Sequence, residues 1–131
     1  MRSSLRLLAA GFGLWLAATV AIAAELPFDK ATFDAALAAL AAGKPVVVDF
    51  QADWCPTCKA QKPLVQGLLK DPKYSGLTLF VANYDTEKDL KKRLAVSQQS
   101  TFVVFKAGKE VARSTGQTDK GALADLFSMA L

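Results

Sequence analysis

Histidine is absent from this chain of 131 residues, and cysteine occurs only twice, as Cys55 and Cys58. Without histidine the chain cannot form a Ser/His/Asp or Cys/His catalytic arrangement, a His-containing zinc site, or a haem site with a proximal histidine. Two cysteines are also too few for a scaffold of several disulfides or for a closed all-cysteine zinc site within one chain. We therefore expect no metal and no other cofactor.

The charge and hydrophobicity of the chain exclude some classes of protein and some kinds of partner. The chain carries 16 Lys and Arg against 12 Asp and Glu, and 52% of its residues are hydrophobic. That apolar fraction excludes a disordered chain, and the length predicts a single domain. The densest basic cluster has the spacing of a solvated helix face and lacks the interleaved aromatic residues of a nucleic-acid surface; it comprises Lys88, Lys91, Lys92 and Arg93. We expect no nucleic-acid partner.

The N-terminus has the pattern of a secretory signal peptide. A short basic start precedes an uncharged apolar run over residues 7–24, and Ala21-Ile22-Ala23 matches the small-x-small rule for a cleavage site. The pattern predicts a signal peptide over residues 1–23, export to the periplasm, and a mature domain over residues 24–131. An uncleaved membrane anchor is the alternative, because an apolar run of this length could just span a bilayer.

After the apolar run, helical and strand patterns alternate along the chain. The continuous β-branched run at residues 46–50 is typical of a strand buried on both faces. Predicted strands are 46–50, 77–84, 102–106 and 110–114, the last two forming a hairpin. Four helices are predicted. The first begins at a cap at Asp29 or Thr32 and ends at Gly43, and the second runs from Pro56 to about Lys70 with a kink at Pro63. The third runs from Thr86 to about Leu94, and the fourth from a cap at Thr118 or Asp119 to Leu131. The fold class is therefore α/β, a central mixed sheet with helices on both faces.

One motif carries chemistry, the sequence Trp54-Cys55-Pro56-Thr57-Cys58 at the point where the buried strand gives way to the second helix. The helix dipole and the unpaired backbone N–H groups of the first turn would stabilise a thiolate at Cys55 and lower its pKa. Cys58, one turn later, could then attack a mixed disulfide formed at Cys55 and release the partner. The alternatives are an inert structural disulfide and half of a metal site shared with a second chain. The order strand, Trp, C-x-x-C and helix favours a redox site.

From about Leu26 to Leu131 the order and spacing of these features resemble the thioredoxin family. Lys44-Pro45-Val46 and Ala52-Asp53-Trp54-Cys55 are most similar to exported members, among them the C-terminal periplasmic domain of the disulfide reductase DsbD and small periplasmic thioredoxins. The resemblance implies the thioredoxin fold and an exchange of thiols and disulfides with protein substrates.

The resemblance also implies roles for single residues. It makes Cys55 the attacking cysteine, Cys58 the resolving cysteine, and Asp49 the buried acid that takes up and returns a proton during exchange. A carboxyl buried in an apolar strand is costly unless it is used or paired, which favours that role over a partly solvated carboxylate at the strand end. The residues expected to contact the substrate are Trp54, Pro56, Thr57, Gln99, Ser100, Thr101 and Gly116.

Two positions depart from the family pattern. Ser100 stands where the family has a cis-proline, and a cis bond before a non-proline residue costs ~2.5–4 kcal/mol, so we expect the Gln99–Ser100 bond to be trans. This departure puts substrate docking in question and leaves thiol exchange intact. Val81 replaces the lysine that often lies beside the buried acid, which would make Asp49 harder to ionise.

The expected function is an exported thiol–disulfide oxidoreductase that acts as a reductase. Its dithiol would pass electrons from a membrane electron carrier to oxidised periplasmic proteins, such as apocytochrome c or another oxidoreductase, through an exposed thiol of low pKa. A disulfide oxidase is one alternative, because Pro56-Thr57 does not decide the redox direction. A metal-binding or chaperone-like module that uses the cysteine pair as ligands is the other, because Ser100 replaces the residue that normally shields the thiols.

Overall fold

A computed structural model describes residues 17, 22–38 and 44–131 of the chain. Its strands are β1 (Ala24–Pro27), β2 (Val46–Gln51), β3 (Thr78–Asn83), β4 (Thr101–Lys106) and β5 (Lys109–Thr115). Its helices are α1 (Lys30–Ala38), α2 (Pro56–Leu69), α3 (Lys88–Leu94) and α4 (Lys120–Ser128), with a short 3-10 helix at Pro72–Tyr74. The described part of the chain therefore alternates strands and helices up to a final hairpin and helix.

The five strands form one mixed sheet in the spatial order β1-β3-β2-β4-β5. Strands β1 and β2 both run parallel to β3, whereas β4 runs antiparallel to β2 and to β5. Every residue of β2 from Val46 to Phe50 is buried, as expected for a central strand that is covered on both faces. The predicted α/β architecture and the late hairpin are confirmed.

Helices cover the two faces of the sheet and bury a separate apolar layer on each. Because side chains alternate along a strand, the odd and even residues of β2 enter different layers. The layer on the side of α2 and α4 contains Val47, Leu79 and Phe102 from the strands and Val65, Leu68, Leu123 and Phe127 from these helices. The layer on the side of α1 and α3 contains Val46, Val48, Phe50, Phe80 and Phe105 from the strands and Phe33 and Leu90 from these helices. Asp49 shares its parity with Val47, so this carboxyl lies on the α2 side of the sheet.

Several boundaries differ from those that the sequence pattern predicts. Strand β1 was not predicted, because its four residues show no alternation and all but Ala24 are exposed. Asp29 is the cap of α1, since its carboxylate accepts the N–H of Thr32 at 2.9 Å. Helix α3 begins later than Thr86, and α4 ends at Ser128 rather than at Leu131.

Other predictions fall on parts of the chain that the structure does not cover. The predicted helix stop at Gly43 lies outside the described residues, as does the predicted signal peptide 1–23 apart from residues 17, 22 and 23. Within the described residues, no helix has the length and apolar character needed to cross a membrane. Pro63 lies inside α2, which continues through it to Leu69.

The antiparallel pairing of β2 with β4 places the candidate site. Phe50, near the end of β2, pairs with Thr101, the first residue of β4. The backbone N–H of Ser100 donates to the carbonyl of Phe50 at 2.9 Å, which extends the pairing by one residue. The segment from the end of β2 through the first turn of α2 carries the two cysteines, and this pairing places it beside the segment that leads into β4.

Candidate active site

Cys55 is the N-cap of α2 and forms a disulfide with Cys58, one turn into the helix. The backbone at Cys55 is extended, with φ −88° and ψ 110°, and the sulfur accepts the N–H of Cys58 at 3.0 Å. A sulfur in this position faces the positive end of the helix dipole and the unpaired amides of the first turn. The predicted placement of the motif at a helix N-terminus is therefore confirmed.

The disulfide is more buried than the sequence predicts. Cys55 has no exposed surface and Cys58 retains 5%, so neither sulfur is the exposed thiol that was predicted. Ala52 is buried with the two cysteines, and Tyr84 packs against this group from the end of β3. The Tyr84 hydroxyl donates to the carbonyl of Ser97 at 2.9 Å, which holds the ring in place. A partner can reach Cys55 only when the residues packed around it move.

Ser100 lies directly against both sulfurs. Its hydroxyl oxygen is 3.0 Å from the Cys55 sulfur and 3.1 Å from the Cys58 sulfur, and the residue is only 2% exposed. Within the described residues every peptide bond is trans, so the expected trans bond between Gln99 and Ser100 is confirmed. The backbone of Ser100 is left-handed, with φ 60°, which is uncommon for a residue that is not glycine.

The remaining predicted contact residues occupy different surroundings. Trp54 is 57% exposed and its indole N–H donates to Asp85 at 2.9 Å, so the ring lies on the surface beside the motif. Pro56 is exposed, whereas Thr57 and Gln99 are half-buried. All three lie next to the cysteines or to Ser100 in the chain, and their contact with a substrate stays a prediction.

Two predicted contact residues use their polar groups within the protein. Thr101 is buried, and its hydroxyl donates to the Gln98 carbonyl at 2.8 Å. Gly116 has φ 75°, a conformation that favours glycine, and its N–H donates to the carbonyl of Ser100 at 2.9 Å. Gln61, which no sequence pattern marks as functional, donates from α2 to the carbonyls of Ser100 and Gln117 at 3.4 and 2.9 Å. These bonds fix the position of Ser100 from two sides.

Asp49 is a buried carboxyl with one hydrogen-bond partner. It is 1% exposed, one oxygen accepts from the side-chain amide of Gln51, and the other has no partner among the described residues. Burial raises the pKa of Asp49 from 3.8 to about 7, with the nearby charge of Glu25 acting in the same direction, while the bond from Gln51 opposes the rise. A carboxyl with this pKa changes charge near neutral pH, and its role as a proton carrier during exchange stays a prediction.

Gln51 lies between Asp49 and solvent. Its side chain lines two adjoining surface clefts, together with Lys62 of α2. One cleft also contacts Cys58, and the other contacts Glu25. Gln51 could have been found from the sequence, because it follows Asp49 at the two-residue spacing that places both side chains on one face of a strand.

Within the part of the chain that the structure describes, no group of three or more Cys, Asp or Glu residues is arranged to hold a metal ion.

The buried carboxyl generates a prediction about stability. The folded protein binds the Asp49 proton up to about pH 7 and the unfolded chain releases it near 3.8, so stability falls as pH rises between these values. We expect Asp49 to remove roughly 2–3 kcal/mol of stability between pH 5 and pH 8, and Asp49→Asn to abolish this loss. Urea unfolding of the oxidised wild type and variant at pH 5 and pH 8 measures the free energy of unfolding at each pH.

The chain offers a favourable background for this measurement. It contains no histidine, and cysteines in a disulfide do not titrate, so few other groups change charge between pH 5 and pH 8. Asp125→Asn, at an exposed carboxyl of α4, is the control and should keep the wild-type pH dependence. The same pH dependence in the wild type and in Asp49→Asn would show that the buried carboxyl does not titrate in this range.

Comparisons with known proteins agree with this geometry. The Thioredoxin family model matches residues 25–128. The thioredoxin of Chlamydia muridarum is 37% identical over 83 residues, which is 63% of this chain and 79% of the relative. Thioredoxin-2 of Saccharomyces cerevisiae is 38% identical over 79 residues, 60% of this chain and 74% of its own.

Solved structures show the same fold. Trxlp from Edwardsiella tarda superposes with a TM-score of 0.75 at 40% identity, over 80% of this chain and 99% of that one. The thioredoxin of Malassezia sympodialis gives a TM-score of 0.70 at 22% identity over 83% of this chain and 91% of its own, which shows the fold alone. The narrower likeness to exported members and to DsbD stays a prediction. The chain belongs to the thioredoxin family, and Cys55 and Cys58 form its thiol–disulfide exchange site.

Proposed function

We propose that the protein is an exported reductase that passes electrons from a membrane carrier to disulfides of periplasmic proteins. The observation that carries this proposal is the Cys55–Cys58 pair at the N-terminus of α2, with Cys55 as the cap. In this position the first sulfur is stabilised as a thiolate and the second lies one turn away to resolve the intermediate. A bridge this short closes too small a loop to stabilise the fold much, which argues against a structural role.

The reaction takes place in two exchange steps. The Cys55 thiolate attacks one sulfur of the partner disulfide, the partner S–S bond breaks, and a mixed disulfide forms while the other partner sulfur leaves and takes a proton. Cys58 then gives up its proton and attacks the Cys55 sulfur, and the second partner sulfur leaves. Two electrons pass from the dithiol to the partner. Asp49, with a pKa of about 7, is suited to accept the Cys58 proton and to return it during the next cycle.

In the proposed reaction, electrons flow from the dithiol of this protein to a disulfide of the partner. Exported oxidases of this superfamily usually carry an inserted helical region. In this chain only short connections join the described elements after β2, and the lack of such an insertion supports a reductase. Trp54 offers a partner an exposed aromatic surface next to the motif. Apocytochrome c and another oxidoreductase both present disulfides that such a site could reduce.

Export rests on the sequence of residues 1–23 and fits the boundaries of the fold. Strand β1 begins at Ala24, directly after the predicted cleavage site. Its pairing with β3 starts at Ala24, whose N–H donates to the Leu77 carbonyl at 2.9 Å. Cleavage after Ala23 would therefore leave every strand and helix of the described chain intact.

The first prediction from the proposed function concerns the division of roles between the cysteines. Cys58→Ser removes the resolving sulfur, so a mixed disulfide through Cys55 should accumulate when the reduced variant meets an oxidised protein. Cys55→Ser should accumulate none. Non-reducing electrophoresis and mass spectrometry of the adducts measure the outcome. Equal trapping by the two variants, or trapping through Cys58 alone, would contradict the assignment.

The second prediction concerns redox direction. Purified protein equilibrated with glutathione buffers should show a potential close to the thioredoxin value of ~−270 mV, because a reductase must keep its dithiol a strong donor. The fraction of dithiol at each glutathione ratio gives this number. A value close to ~−120 mV, that of the oxidant DsbA, would make the protein an oxidase and overturn the reductase proposal.

The third prediction concerns processing. When the full chain is expressed in a Gram-negative host, the periplasmic fraction should contain a protein that begins at Ala24, as N-terminal sequencing will show. Ala23→Leu places a large residue at the cleavage site and should leave the precursor uncut. Ala18→Leu, inside the apolar run, is the matched control and should be processed normally. An uncut wild-type chain in the membrane would establish the anchor alternative.

A further inference from the structure

We propose that Ser100 is a catalytic residue whose hydroxyl donates a hydrogen bond to whichever active-site sulfur carries negative charge. The inference rests on thiol exchange at Cys55 and Cys58, as proposed above, and goes beyond it by assigning a donor to the thiolates. The single hydroxyl lies 3.0 Å from one sulfur and 3.1 Å from the other. Rotation about its C–O bond is enough to turn the proton from Cys55 to Cys58.

The surrounding backbone holds this hydroxyl in place. The N–H of Ser100 donates to Phe50 on β2, and its carbonyl accepts from Gly116 and from the side chain of Gln61. The residue is thus fixed to β2, to the segment after β5 and to α2. Its left-handed φ of 60° is unfavourable for a residue with a side chain, and a strained conformation that the neighbours enforce is a common property of functional positions.

Burial increases the stabilisation that such a donor gives to a thiolate. Taking a thiolate out of water raises the pKa of a cysteine, and Cys55 has no exposed surface in the oxidised protein. A thiolate on Cys55 can accept the N–H of Cys58 at 3.0 Å. Among the described residues, Ser100 provides the only side-chain hydroxyl or N–H within hydrogen-bond distance of the sulfurs. A hydrogen bond to a charged acceptor is stronger than one to a neutral acceptor, particularly in a buried site.

The hydroxyl can serve each charged state in turn. In the dithiol it donates to the Cys55 thiolate, which then attacks the partner disulfide. Once the mixed disulfide has formed and Cys58 has lost its proton, the Ser100 hydroxyl donates to the Cys58 thiolate. When a donor dithiol reduces the protein again, it stabilises the sulfur that leaves as the Cys55–Cys58 bond breaks. The serine keeps its proton throughout, so protons and electrons balance as in the exchange steps alone.

Other charged and titratable groups also surround the cysteines. Tyr84 packs against the pair from the end of β3, Asp49 accepts from Gln51 of the cleft beside Cys58, and three further groups line that cleft. These three are Asp53, Lys59 and Lys62. They stay unchanged in a variant of Ser100, so the difference between that variant and the wild type reports the hydroxyl.

The experiment compares Ser100→Ala and Ser100→Gly with the wild-type protein. Both variants lack the hydroxyl, whereas only glycine relieves the left-handed backbone. We expect the pKa of Cys55, read from thiolate absorbance during a pH titration, to rise by about one unit in both variants. Because the reduced form loses its stabilising bond, the dithiol–disulfide equilibrium with glutathione at pH 9 should shift about tenfold towards disulfide, which is ~30 mV.

Ser128→Ala is the matched control. The Ser128 hydroxyl donates to the Ala124 carbonyl at 2.7 Å in α4, so this variant removes a half-buried serine hydroxyl that contacts neither sulfur. It should leave the pKa of Cys55 and the glutathione equilibrium unchanged. Thermal unfolding establishes that each variant is folded.

The possible outcomes separate this inference from the proposed function. A wild-type protein that exchanges with glutathione, with an unchanged pKa and equilibrium in both Ser100 variants, would overturn the role of Ser100 and leave exchange intact. A shift in Ser100→Gly alone would assign the effect to the backbone and also overturn it. A wild-type protein that does not exchange with glutathione would overturn the proposed function itself.

Discussion

The antiparallel pairing of β2 with β4 is the constraint on which the active site depends. This pairing brings the end of β2 against the start of β4. The cysteines follow β2 in the chain, and Ser100 directly precedes β4. A shift of β4 by one residue in this register would move Ser100 away from the sulfurs and turn the side chains of β4 into the opposite apolar layers. The hydrogen bonds of the ladder therefore determine which polar groups meet around the disulfide.

Local sequence was sufficient for the parts of the structure that depend on short-range patterns. The run of valines before Asp49 identifies the central strand, and Asp119 caps α4 by accepting the N–H of Ala122 at 2.8 Å. The position of Cys55 at the start of α2 follows from the change of pattern at Pro56, a residue that favours the first turn of a helix. The burial of Asp49 was predictable because its neighbours in the strand are apolar.

Contacts between distant parts of the chain could not be predicted in this way. Ser100 and Cys55 lie 45 positions apart, so no local pattern connects them; the family resemblance places Ser100 near the thiols, and the register of the sheet shows that it contacts both sulfurs. The burial of Cys55 likewise depends on how Tyr84 and the loop before β4 pack, which no local pattern records. Strand β1 exists because β3 offers it a free edge, whereas its own residues contain a proline and only one apolar side chain other than alanine.

The left-handed backbone at Ser100 also constrains how this position can evolve. Proline fixes φ near −65° and has no N–H, so it cannot adopt the φ of 60° or make the bond to Phe50. A change from serine to proline would therefore demand a rebuilt turn and a new donor for the Phe50 carbonyl. Substitutions that accept the left-handed turn, such as glycine or asparagine, are the accessible neighbours of this sequence. A chain that carries serine in this conformation is therefore separated from a chain that carries proline there by several coupled changes.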